Sequence, residues 1–117
     1  MSSAAVVQGQ NNVLLGGPQS DIVIGSWKPV DIKDQYVQEL GRFAVMEHDK
    51  KSGEHLIFEK VVGGFMVESS IDNKNYYNLL VVTNNGLKCI MNGFNSAIVC
   101  DIPAKKEWKL VAFVRLN

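Results

Sequence analysis

The sequence has little of what marks several large classes of protein. It contains two cysteines, three prolines and 9% aromatic residues in 117 positions. Its basic and acidic residues balance at 12 each, and no basic stripe with interleaved aromatics occurs, so we expect no nucleic-acid partner. No apolar run approaches the roughly 20 residues of a membrane helix, so we expect no membrane partner.

The motifs of enzymes and metal proteins are also absent from the sequence. There is no nucleophile elbow, no paired-histidine zinc motif and no phosphate-binding loop, and histidines and cysteines do not cluster. The carboxylates are scattered among lysines, as on a solvated surface. We therefore predict a binding protein rather than an enzyme, and no metal or other cofactor.

The two cysteines, Cys89 and Cys100, stand on one extended stretch of about 35 Å, so a disulfide between them would need a fold-back. Two free thiols fit a reducing compartment. Residues 1–8 lack the basic start and apolar core of a secretory signal. We expect a cytoplasmic protein, or a secreted one if a signal has been removed.

The chain divides into a tail and one domain. Residues 1–20 are small and polar, and the Gly-Gly-Pro run at 16–18 breaks regular structure, which predicts a flexible tail. The remaining residues, 21–117, are enough for a single domain with one core, since 46% of the chain is hydrophobic.

Hydrophobic spacing predicts one amphipathic helix before residue 53. On a helix, one face would carry Val37, Leu40, Gly41, Ala44, Val45 and His48. Asp31 or Asp34 is a candidate cap for its start, and Gly53 is a plausible stop. A glycine kept on the apolar face indicates close packing against a sheet. We expect this helix to belong to the core.

After residue 53 the pattern changes to that of β-strands. Runs rich in β-branched and aromatic residues predict strands over 55–67, 75–83, 87–101 and 108–116, after a short apolar run at 22–24. Gly63 and Gly64 indicate a bulge, and the segment 84–86 is typical of a hairpin turn. Sequential hairpins imply an antiparallel sheet, and one helix covering it gives an α+β domain.

The helix segment also resembles a known signature. Residues 40–50 resemble the plant cystatin (phytocystatin) string L-A-R-F-A-V-x-E-H-N-K, with Gly41 and Asp49 in place of Ala and Asn. The resemblance extends over about residues 22–115. It implies a cystatin-like fold, with a four- to five-stranded antiparallel sheet wrapped around one long helix. It also implies an inhibitor that plugs the active site of a papain-like cysteine proteinase; we expect it to be a monomer.

In that family three segments enter the enzyme: an N-terminal glycine, a Q-x-V-x-G hairpin and a Pro-Trp pair. The first is largely present, because residues 25–30 resemble the family's G-G-W-x-P-I. The second is absent: its position falls on residues 67–71, and Asp72 and Asn73 lengthen the loop. The third keeps Pro103 but has Ala104 at the Trp position. Trp108, four residues later, is interpreted as structural.

A kept scaffold with two changed contact loops indicates a changed partner. The pattern is similar to that of cystatin-like inhibitors of pepsin-like aspartic proteinases, so an aspartic proteinase is the favoured partner. The predicted contact residues are Ile24, Gly25, Ser26, Glu68, Ser69, Ser70, Ile71, Asp72, Pro103, Ala104 and Lys105. Lys105 and Lys106 would speed association with an acidic enzyme. The alternatives are a weak cysteine proteinase inhibitor and a structural protein that cross-links through Cys89 or Cys100.

Overall fold

Five antiparallel strands, hydrogen-bonded in the order in which they occur along the chain, form one sheet that packs on a single helix. The computed structural model describes residues 26–86 and 93–117. The elements are β1 (Lys28–Pro29), α1 (Gln35–Ser52), β2 (Ile57–Ser69), β3 (Lys74–Asn84), β4 (Gly93–Ile102) and β5 (Glu107–Arg115), with a 3-10 turn at Pro103–Lys105. This arrangement confirms the predicted α+β cystatin-like fold.

Capping groups fix both ends of α1. The Asp34 carboxylate accepts a 2.9 Å hydrogen bond from the Tyr36 amide, so Asp34 is the cap among the two candidates. Asp31 instead accepts a 3.0 Å bond from the Lys33 amide in the turn before the helix. Gly53 ends the helix with φ of 79°, and its amide donates to the Asp49 carbonyl at 2.9 Å.

The predicted helix face is the core face. Five of its six members are buried: Val37, Leu40, Gly41, Ala44 and Val45. They pack on β2, β3 and β4 through Val61, Tyr77, Leu79, Val81, Ala97 and Val99. His48 lies at the rim and is only partly buried; its ring stacks on Phe113 at 4.1 Å and its Nε2 lies 2.5 Å from Glu54 Oε1.

Close approach explains the glycine on this helix face. A methyl group added at Gly41 would overlap the Val61 γ2 methyl and lie 3.0 Å from Phe58 Cε1. Only a residue without a Cβ lets the helix backbone approach β2 so closely. The predicted close packing against the sheet is therefore confirmed.

Strand β2 is irregular where the helix crosses it. Its pairing with β3 shifts between Phe58 and Lys60 and again between Val61 and Gly63, close to the predicted bulge. Gln38 bridges this region, because its Oε1 accepts from the Val61 amide at 3.0 Å and its Nε2 donates to the Val61 carbonyl at 3.1 Å. The helix thus hydrogen-bonds the β2 backbone where the pairing of that strand is irregular.

The turn predicted at residues 84–86 forms, but it does not set the pairing of β3 with β4. Asn84 and Gly86 do form a local turn, in which the Gly86 amide donates to Asn84 Oδ1 at 2.8 Å. The turn does not close a tight hairpin, because Thr83 pairs with Gly93 and β4 begins there. Residues 87–92, assigned to a strand from the sequence, lie outside the described residues.

Candidate functional site

Both turns that join the long strands β2–β3 and β4–β5 leave the sheet at the same end. Asn75 at the start of β3 pairs with Asp101 near the end of β4, and Asp101 pairs with Trp108 at the start of β5. The Asn75 side-chain amide also donates to Asp101 Oδ2 at 3.3 Å, which fixes the two turns relative to each other. We call this end the hairpin edge, defined as residues 26, 68–73 and 103–106.

An open groove of about 580 Å³ runs along the hairpin edge. Its lining comes from three separate parts of the chain: the segment before β1, the β2–β3 hairpin, and the turn after β4. The lining residues are Ser26, Lys28, Glu68, Ser69, Ser70, Asn73, Asn75 and Pro103. The fold therefore assembles a concave surface, lined mostly by polar residue types, from segments that are far apart in the sequence.

The structure brings together most of the residues predicted from the sequence. Five line the groove: Ser26, Glu68, Ser69, Ser70 and Pro103. Ile71 and Asp72 lie in the β2–β3 turn, and Ala104 and Lys105 lie exposed in the 3-10 turn. Ile24 and Gly25, the N-terminal pair of that prediction, lie outside the described residues.

The β2–β3 turn presents one large apolar side chain to solvent. The last strand pair is Ser69 with Lys74, so residues 70–73 form the turn. Asn73 has φ of 57°, a left-handed conformation that asparagine tolerates well. Ile71, at the tip, is 61% exposed. At the tip of a short turn, this side chain is available to enter a partner's apolar pocket.

Asp72 ties this turn to the sheet. Its Oδ1 accepts a 3.2 Å hydrogen bond from the Lys74 amide, and its Oδ2 accepts a 2.8 Å bond from the Tyr76 hydroxyl. Both donors belong to β3, so the turn is held against the strand that follows it. Sequence reasoning assigned Asp72 to the contact surface and missed Tyr76. The Asp-Asn pair at 72–73 is a recognisable turn signal, but the partnership with Tyr76 depends on the fold.

Burial and hydrogen bonding shift the pKa values of both Asp72 and Tyr76. Burial acts to raise the pKa of Asp72, but Ser69, the Tyr76 hydroxyl and the Lys74 amide favour the carboxylate and hold that pKa below its ordinary value. The pKa of Tyr76 is raised well above its ordinary value, first by burial and then by its hydrogen bond to Asp72. The ionised carboxylate and the neutral phenol are thus the favoured pair.

The β4–β5 turn carries positive charge. Pro103 starts the 3-10 turn, and Lys106 closes it with φ of 51° and an amide that donates to the Pro103 carbonyl at 3.1 Å. Ala104, Lys105 and Lys106 are exposed. Two lysines beside the groove give this part of the hairpin edge an attraction for acidic surfaces.

Trp108 is a packing residue, as the sequence interpretation held. Its indole Nε1 donates a 2.9 Å hydrogen bond to the Tyr36 hydroxyl. Its ring meets those of Tyr36 and Phe43 edge to face, at centroid distances of 5.4 and 5.5 Å. The tryptophan therefore joins β5 to α1 and is withdrawn from the hairpin edge.

No metal site and no reactive thiol occur among residues 26–86 and 93–117. No group of three or more histidine, cysteine or acidic side chains in these ranges is arranged to hold a metal ion. Cys100 is buried, and burial raises the pKa of its thiol, which makes it a poor nucleophile. Cys89 lies outside these ranges. The one described helix, α1, is not long and apolar enough to cross a membrane.

Comparison with known proteins shows which families and relatives this chain is similar to. Residues 30–116 match the family model described as aspartic acid proteinase inhibitor. The chain is 39% identical over 92 residues to putative cysteine proteinase inhibitor 7 of Oryza sativa subsp. japonica, covering 77% of this chain and 74% of the relative. It is 37% identical over 95 residues to cysteine proteinase inhibitor 5 of Arabidopsis thaliana, covering 80% and 74%.

A third relative, cysteine proteinase inhibitor 1 of Actinidia chinensis var. chinensis, is 31% identical over 98 residues, covering 83% of this chain and 79% of the relative. The family and the relatives are proteinase inhibitors rather than enzymes, which agrees with the absence of catalytic motifs in the sequence. The chain therefore belongs to the aspartic acid proteinase inhibitor family and is a cystatin-like proteinase inhibitor.

Proposed function

We propose that this protein inhibits pepsin-like aspartic proteinases by inserting its hairpin edge into the active-site cleft. The observation that carries the proposal is the β2–β3 turn, which presents exposed Ile71 on a backbone held by Asp72. A rigid turn loses little conformational entropy on binding, so the contact energy of its side chains is retained. Blocking a cleft in this way needs no catalytic group.

The altered contact loops support an aspartic rather than a cysteine proteinase. The position of the family's Q-x-V-x-G falls on residues 67–71, which do not match it, with Asp72 and Asn73 lengthening the loop, and Ala104 stands at the position of the Pro-Trp tryptophan. Trp108 does not replace that anchor, because it is hydrogen-bonded to Tyr36 on the helix. Loss of a buried aromatic anchor typically costs about 2 kcal/mol or more, roughly thirtyfold in affinity. The description of the matching family also supports this target.

Charge on the second turn supports the same partner. Lys105 and Lys106 are exposed beside the groove, and pepsin-like enzymes are commonly acidic. Opposite charges accelerate association without adding much to the final affinity. Inhibition by this protein should therefore be slower to develop at high salt, with a smaller effect on the equilibrium inhibition constant.

The second candidate target is a papain-like cysteine proteinase, bound weakly. The names of the rice, Arabidopsis and kiwifruit relatives favour it, since each is called a cysteine proteinase inhibitor. In this case the segment around Ser26, with the N-terminal residues before it, would provide most of the contact. The altered turns would then contribute little.

Titration against pepsin and papain separates the two targets. We expect pepsin to be inhibited at submicromolar concentrations and papain to retain most of its activity. Full pepsin activity at micromolar inhibitor would refute the proposal, and nanomolar inhibition of papain would establish the second candidate.

A pair of matched isoleucine variants tests the contact surface. Ile71→Ser should weaken pepsin inhibition roughly thirtyfold, because an apolar side chain that fills a pocket is worth about 2 kcal/mol. Ile57→Ser is the control, since Ile57 is also well exposed (49%) but begins β2 at the opposite end of the strand. Equal effects of the two variants would place the contact surface elsewhere.

A further inference from the structure

Asp72 is half-buried in the β2–β3 turn, beside β3. Both of its carboxylate oxygens accept hydrogen bonds from β3, one from the Lys74 backbone and one from the Tyr76 side chain. Both oxygens are thus held by the protein rather than left to water alone. Its bonds close a ring between the turn and the strand, so its orientation is coupled to the backbone that carries Ile71.

We propose that Asp72 is a positioning residue whose ionised carboxylate latches the β2–β3 turn, and that this latch sets the lowest pH at which the protein inhibits its target. The role in inhibition rests on the proposed function, since pepsin-like enzymes act in acid. The latch itself is a property of the free protein, so it can be tested without any enzyme.

The groups around Asp72 favour its charge. Lys74 and Tyr76 face it from β3, and Cys100 lies next to Tyr76 on β4, where its thiol is affected by both Lys74 and Asp72. Lys109 of β5 pairs with Cys100 in the next strand. These groups are two lysine cations, a neutral phenol and a neutral thiol, and Asp101, next to Cys100 on β4, adds a carboxylate that acts on the same thiol.

The direction of the pH effect follows from the hydrogen bonds. Because they lower the pKa of Asp72 in the folded protein, the stabilisation is complete above the unfolded value of about 3.9. It is lost as the pH falls through the folded value, when a protonated carboxyl replaces the carboxylate. The turn therefore stays ordered to a lower pH than an ordinary aspartate would allow.

The first test measures the latch in the free protein. Carboxyl carbon chemical shifts should give Asp72 a titration midpoint below about 3.9, with the Lys74 amide signal moving at the same midpoint. In Tyr76→Phe the midpoint should rise towards the ordinary value, because one donor to the carboxylate is lost. Tyr77→Phe is the matched control, since Tyr77 lies on the helix-facing side of the same strand and should leave the midpoint unchanged.

The second test measures inhibition of pepsin above and below that midpoint. The wild-type inhibition constant should weaken about tenfold as Asp72 is protonated, and Tyr76→Phe should show the same weakening at a higher pH. Asp72→Asn should remove this pH dependence, because its side chain has no charge to lose. All variants are measured with the same enzyme, so comparison of each inhibition profile with that of Tyr77→Phe removes the enzyme's own pH dependence.

Each outcome decides between two claims. An ordinary midpoint for Asp72, or identical profiles for Tyr76→Phe and Tyr77→Phe, would refute the latch even if pepsin is inhibited. A low midpoint without any inhibition of pepsin would refute the proposed function and the latch's role in it, while the turn geometry would stand.

Discussion

Replacing Gly41 with alanine should destabilise the protein, although alanine is the better helix former. Alanine gains about 1 kcal/mol of helix propensity over glycine at an interior position. The added methyl would overlap the Val61 γ2 methyl and press on Phe58 Cε1, and Val61 is only 1% exposed and cannot turn into solvent. Overpacking of this kind costs about 1–3 kcal/mol, and two contacts place it in the upper part of that range.

The expected net loss is therefore about 1–2 kcal/mol in the free energy of unfolding, or roughly 4–8 °C in Tm for a domain of this size. Urea unfolding followed by circular dichroism gives the free energy, and an unchanged slope would confirm that the folded and unfolded states keep their compactness. A variant as stable as the parent, or more stable, would refute the packing argument.

A double-mutant cycle assigns the loss to one contact. Val61→Ala alone should cost about 2 kcal/mol through a cavity, but it also makes room for the new methyl. Gly41→Ala combined with Val61→Ala should therefore be at least about 1 kcal/mol more stable than the sum of the single effects. Strict additivity would show that the clash with Val61 is not the cause.

Three further results follow from contacts within the domain. Trp108→Ala should lower the free energy of unfolding by about 3 kcal/mol. Pepsin inhibition should be unchanged at temperatures where the variant is folded. Lost inhibition with an unchanged Tm would instead make the tryptophan a contact residue. Gln38→Ala should lower the free energy of unfolding, measured in urea, by about 2 kcal/mol, because it removes two hydrogen bonds to the Val61 backbone at the bulge. Gln38→Glu should restore only the bond to the Val61 amide. In an alkaline absorbance titration all three tyrosines should have midpoints above pH 10, one of them near 12, because burial raises their pKa values. Stability should therefore fall as the pH rises from about 10, and a midpoint at or below 10 for any tyrosine of the folded protein would contradict this.

The elements that could be predicted from the sequence are those fixed by local chemistry. Hydrophobic spacing identified the buried helix face, and turn and cap preferences identified Asp34 and Gly53 as candidate ends. The sequential hairpins indicated the antiparallel sheet, and the resemblance to phytocystatins added the end of the sheet where the contact turns meet. Each of these depends on residues that are close in the sequence, or on a whole fold that is already known.

The side-chain partnerships could not be predicted in the same way. Tyr36 and Trp108 are 72 positions apart, and Gln38 and Val61 are 23 apart, so neither bond is visible before the strands are placed in register. The turn at residues 84–86 shows the same limit. Asparagine and glycine do specify a local turn there, but turn chemistry does not tell which residues pair beyond it.

The uninterrupted strand order from β1 to β5 affects how fast this protein folds and how readily its turns accept new residues. Every long strand pairs with its neighbour in sequence, so contacts close short chain loops, which favours rapid folding. A turn that grows by two residues adds only a few tenths of a kcal/mol of closure entropy. The turns that join β2 to β3 and β4 to β5 can therefore be lengthened, and their residues exchanged, without altering strand register. The sheet and helix then stay the same while the contact surface changes.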